Sequence, residues 1–173
     1  MKEIIINNDN LKEEDINRLV KRAKIIIVNS KEEILLAYSD MNYHLIGGHV
    51  ENEETYHECL IREIKEETGI HINLKEQSPI LTIKYYIKNY PEFGINSKYI
   101  HNYYSTKYDL IPEPSKFNLT EEEFSGNFKL RYIHKDKVLT ELEKSLETCT
   151  EENTIKDTIE AIKEYLKNES FDN

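Results

Sequence analysis

The stretch Gly47-Gly-His-Val-Glu-Asn-Glu-Glu54-Thr-Tyr-His-Glu58-Cys-Leu-Ile-Arg62-Glu63-Ile-Lys-Glu66-Glu67-Thr-Gly69-Ile70 decides how the chain is read. Thr55-Tyr-His-Glu58 is a capping-box pattern that opens a helix, and Thr68-Gly69 closes it with a glycine suited to a left-handed terminal residue. At about 100° per residue, Glu63, Glu66 and Glu67 share an arc of roughly 100° on that helix. Leu60, Ile64 and Ile61 form an apolar face beside the arc, so one helix offers a core contact and a carboxylate wedge together. Like charges at these spacings destabilise a helix by a few tenths of a kcal/mol per pair, and Lys65 points elsewhere.

Working outward, Lys2–Asn7 reads as a strand, and Asn10 to Glu13 carries a helix-start pattern followed by Ile16, Leu19 and Val20. Ala23–Val28 and Ile34–Tyr38 read as strands joined by a polar connection, and Tyr43–Ile46 as a short strand entering the glycines. Beyond the helix, Ile70–Ile87 and Lys98–Tyr108 read as long strands separated by a loop at Asn89–Gly94, with a last strand at Phe128–Ile133. Val138, Leu139, Leu142 and Leu146 share a face of a helix near 135–147. Ile155, Ile159, Ile162 and Leu166 repeat at helical spacing in a terminal helix opened by Thr150. The order β–α–β–β–β–α–β–β–β–α–α predicts a layered α/β domain with a mixed sheet.

The chain has 173 residues, which suits one ordinary domain. Its formal net charge of −10 argues against nucleic acid or an anionic membrane as partner, since either would be repelled. No apolar run approaches a membrane span, and Met1–Asn10 lacks the form of a signal peptide. Cys59 and Cys149 form no framework, which points to a reducing cytoplasm. Three clustered glutamates beside a glycine turn are what a hard divalent cation requires: Mg²⁺ takes oxygen ligands and bridges carboxylates to substrate phosphates.

Gly48-x5-Glu54-x7-Arg62-Glu63-Ile64-x-Glu66-Glu67-x-Gly69-Ile70 resembles, at every fixed position, the box that defines the Nudix hydrolases. Chance coincidence at these positions is on the order of once in ten million sequences. The resemblance implies a Nudix-type α/β/α sandwich over residues 22–147, with 1–21 a strand and helix extension and 148–173 a terminal helix packed on the domain. It implies Mg²⁺- or Mn²⁺-dependent hydrolysis of a small-molecule nucleoside diphosphate derivative, by attack of water at phosphorus. Glu63, Glu66 and Glu67 are the implied metal ligands, joined by the Gly47 carbonyl. Arg62 orients the glutamates, and Gly48 lets the loop turn sharply against the helix. Glu54 supports the loop or an outer metal shell.

Two positions depart from the family's habit: Ile46 stands where a proline is common, and Cys59 where a small residue is. Cys59 falls near the acidic arc, where a packed, inert thiol is expected over a ligand. Family members often add a loop glutamate as ligand or general base. Glu121-Glu122-Glu123 is the place for it, and Glu122 is preferred because Glu123 can cap Thr120. One of Tyr85, Tyr86, Tyr99, Tyr103, Tyr104 and Tyr108 is expected to stack on a nucleobase. His44 and His49 flank the glycine turn and are weaker phosphate candidates. The alternative function is a non-catalytic module binding a nucleotide metabolite. Lys2–Asn7 and the terminal helix are candidate contacts for a homodimer.

Overall fold

The computed structural model describes residues 1–170, apart from the side chain of Glu122. Seven strands form one mixed sheet: β1 (Lys2–Ile6), β2 (Arg18–Val28), β3 (Glu33–Ser39), β4 (Asn42–His44), β5 (Leu81–Ile87), β6 (Ser97–Lys107) and β7 (Lys129–His134). The strand order is β1-β5-β6-β2-β3-β4, and β7 pairs with β3. The helices are α1 (Tyr56–Thr68), α2 (Glu121–Ser125), α3 (Lys135–Ser145) and α4 (Glu152–Glu169).

Period-two alternation along the central strands divides the core into two layers. Ala23, Ile25 and Ile27 of β2, with Leu35 and Ala37 of β3, pack toward α1 around Leu60 and Ile64. Ile26, Val28, Ile34 and Leu36 point the other way, against Val138 and Leu142 of α3 and Ile155, Ile159 and Ile162 of α4. The predicted sandwich is therefore present, with α1 on one face and α3 and α4 on the other.

The helix predicted from Asn10 does not form. Asn10 takes a left-handed φ of 53°, Glu13–Asp15 make only a 3-10 turn, and Leu19 and Val20 lie in β2. The apolar spacing there is overridden by the parallel ladder of β2 with β6, which begins at Arg18↔Ser97. The predicted strand Ile70–Ile87 is shorter, since only Leu81–Ile87 pairs. Residues 70–80 run irregularly, bury Ile72 and Leu74 against the α1 layer, and include Pro79, which has no N–H for a ladder. Among the described residues no helix is long and apolar enough to cross a membrane.

Candidate active site

The cap chemistry of α1 is as its sequence demands. The Thr55 side chain accepts from the Glu58 amide, the Glu58 carboxylate accepts from the Thr55 amide, and Gly69 at φ 74° ends the helix through Lys65. Packing of Leu60 and Ile64 onto the sheet fixes the helix's rotation and grades the acids: Glu67 is 2 % exposed, Glu63 half-buried and Glu66 at the rim. Arg62 holds this set together. Its guanidinium donates to Glu54 at 2.9 and 3.0 Å, to Glu63 at 2.9 Å, to Glu66 at 3.0 Å and to the His49 carbonyl at 2.9 Å. Those bonds hold the Glu54 carboxyl below its usual range and push the Arg62 pKa up.

The glycine turn is shaped around the same acids. Gly47, at φ 126°, donates its N–H to Glu67 at 3.1 Å, and a Cβ there would meet the Ala23 carbonyl at 2.1 Å. A Cβ on Gly48 would lie 2.1 Å from Glu63 Oε1, so the carboxylate occupies the space that the missing side chain leaves. Burial pushes Glu67 up to about 8; Lys24 opposes that shift and Glu63 adds to it. Burial also raises Glu63, against the pull of Arg62 and Lys24. Lys24, on β2, donates to the carbonyls of Leu45 and Gly47, and desolvation lowers its pKa.

These groups border a cavity of about 820 Å³. Glu63, Glu66 and Glu67 form one wall, and Arg22 and Lys24 line it from β2. Among the described residues no three acidic, histidine or cysteine side chains converge at ligand distance, and Arg62 pairs with both Glu63 and Glu66. The donor set nevertheless suits a hard divalent cation. It is all oxygen, and Glu67 has no cation within 4.0 Å among the described residues, although it is almost wholly buried.

A NUDIX domain model matches residues 18–149. The chain belongs to the Nudix family. A Nudix hydrolase from Nitrosomonas europaea shares the fold with a TM-score of 0.58, over 87% of this chain and 90% of that one, at 15% identity. A Bacillus subtilis (strain 168) protein, provisionally named an 8-oxo-dGTP diphosphatase, is 29% identical over 115 residues, covering 61% of this chain and 67% of that protein.

Within this Nudix site, Cys59 is buried, contacts the carbonyls of Gly48 and His49 through Sγ, and has its thiol pushed up to about 12 by burial and the nearby acids. His44 lines the cavity, bonds Ser39 at 3.1 Å, and is held neutral by burial, its pKa lowered to about 3. None of the six tyrosines named as stacking candidates lines the large cavity. Tyr85 and Tyr103 bond Asp157, Tyr104 packs in the α1 layer, Tyr86 bonds Glu13, and Tyr99 receives Arg18. Glu123 lines the cavity while its carboxylate caps Thr120 at 2.7 Å; the side chain of Glu122 lies outside the described residues. Sequence reasoning missed Arg22 and Lys24. Their signal was present: Arg22 and Lys24, at i and i+2, put charge on one face of a strand that is apolar from Ile25 to Val28.

Proposed function

We propose that the chain hydrolyses the phosphoric anhydride of a nucleoside diphosphate derivative with Mg²⁺ or Mn²⁺, and that 8-oxo-dGTP is the substrate to test first. The observation that carries this reading is the buried Glu67 beside Glu63 and Glu66 on one wall of a cavity whose β2 side carries Arg22 and Lys24. The name of the Bacillus subtilis relative supports the choice of nucleotide.

Glu63, Glu66 and Glu67 and the Gly47 carbonyl are the proposed holders of the cation. When bound, the cation supplies charge neutralisation at the phosphate oxygens and lowers the pKa of water. Arg62 keeps Glu63 and Glu66 aimed, since one guanidinium nitrogen reaches both. Gly48 leaves Glu63 its place. Lys24 counters the charge of Glu67 from β2. The proton from water passes to an acid of the Glu121–Glu123 run, for which Glu122 is our first choice and Glu123, at the cavity, the comparison.

The test is pyrophosphate release from 8-oxo-dGTP by the parent protein and by Glu67→Gln, titrated with Mn²⁺. Metal-dependent release that disappears in the variant is the expected result. Equal turnover in both proteins removes the assigned site, and nucleotide binding without turnover in the parent favours the binding module. Among Glu122→Gln and Glu123→Gln, the variant that lowers kcat with KM intact identifies the base.

A further inference from the structure

Three cationic side chains line the large cavity, and they differ in what their donors already meet. Arg62 gives its N–H groups to Glu54, Glu63, Glu66 and a main-chain carbonyl, all on the acidic wall. Lys24 is tied to two main-chain carbonyls beside the glycine turn. Arg22 is half-buried, and its guanidinium makes a single hydrogen bond among the described residues, from Nε to His49 Nε2 at 3.3 Å. No carboxylate among the described residues lies within ion-pair distance of it. The buried acid on that face, Asp157, already accepts from Tyr85, Tyr103 and His101.

The surroundings orient the Arg22 fork without neutralising it. Arg22 and Lys24 alternate along β2 and so share a face, with His101 beside Arg22 in the β6 register. His49 accepts from Arg22 Nε through its Nε2 at 3.3 Å. A small annex of about 30 Å³ opens beside both cations, with room for about one water, and buried His101 Nε2 has no partner in the structure. A partly desolvated guanidinium with free, coplanar donors fits the oxygens of a phosphoryl group.

We propose that Arg22, seconded by Lys24, anchors a phosphoryl group of the substrate beyond those held at the carboxylate wall, so that the site selects a nucleoside triphosphate over a diphosphate-linked sugar or alcohol. This rests on the hydrolase reading for the location of the other phosphates. Arg22 is therefore a specificity-determining residue for the number of phosphates, on the β2 side of the cavity.

The test is calorimetric binding, with Mg²⁺ present, of guanosine α,β-methylene triphosphate and the α,β-methylene diphosphate, both inert at the α–β bond. Arg22→Gln is expected to weaken the triphosphate analogue at least about tenfold and the diphosphate analogue less than about threefold. Arg22→Lys, which keeps the charge and loses the fork, falls between, and carries the comparison if the glutamine variant does not fold. Equal weakening of both analogues, or of neither, overturns the proposal. Triphosphate selectivity that follows Arg22 in a protein that turns over no nucleotide would leave this inference standing and remove the hydrolase reading; metal-dependent turnover with affinities indifferent to Arg22 would do the reverse.

Discussion

On the α1 face of the sheet Glu67 is 2 % exposed and, among the described residues, accepts one hydrogen bond, from the Gly47 amide, whereas on the α4 face Asp157, 7 % exposed, accepts from Tyr85, Tyr103 and His101. Both are buried acids on helices, and their depth does not tell them apart. What differs is the capacity left over. A carboxylate has about four acceptor sites. Three protein donors engage Asp157 and tie α4 to two strands, while Glu67 keeps its remaining capacity for the cavity. A buried acid with its acceptors filled serves the fold; one with acceptors left open is placed for a ligand.

Glu67→Gln should give the largest effect, a fall in kcat of at least about 100-fold, because the proposed cation site loses an oxygen donor and its charge together. The same variant should melt at a higher temperature than the parent in metal-free buffer, since it removes a carboxylate that burial disfavours. Lower stability alongside lost activity would mean that Glu67 is a structural acid like Asp157. Alanine at 157 should do the opposite. Buried Tyr103 and half-buried Tyr85 and His101 lose their acceptor, so urea titration should show a loss of about 3 kcal/mol while kcat per folded molecule stays within about threefold.

His44 sharpens the contrast through pH. Its folded pKa is pushed down to about 3 from 6.5, chiefly by burial. Above pH 6.5 the folded and unfolded chains both carry it neutral. As the pH falls toward 3 only the unfolded chain takes the proton, so stability is lost with acid. Between pH 6.5 and 5 this group should remove about 2 kcal/mol, and His44→Gln should flatten that limb when urea midpoints are compared. The smallest effect concerns thiols: a maleimide should label half-buried Cys149 well before Cys59, whose thiol is raised to about 12, and activity should survive the first labelling.

The α1 region was legible because everything that shapes it is local. Thr55, Glu58 and Gly69 set its ends, and the placing of Leu60 and Ile64 sets which acids turn inward. The segment from Asn10 to Val20 was not legible, because its strand exists only by pairing with residues far along the chain. Arg22 and Lys24 escaped for a related reason. Their alternation was visible, but its meaning depends on the acids that line the same cavity and on the saturated Asp157. The count of tyrosines says nothing of their partners, and the fold engages several of their hydroxyls with Asp157, Glu13 and Arg18.

The parallel ladder from Arg18↔Ser97 to Val28↔Lys107 also governs how quickly the molecule is made. Every rung joins positions about eighty residues apart, so the chain meets a large loop-closure entropy before the central pairing returns any contact energy. Nothing local can seed that ladder. Refolding from urea should therefore run on the slow side for a domain of this length, with α1 forming early and the Arg22 side of the cavity joining the acidic side only when β6 docks.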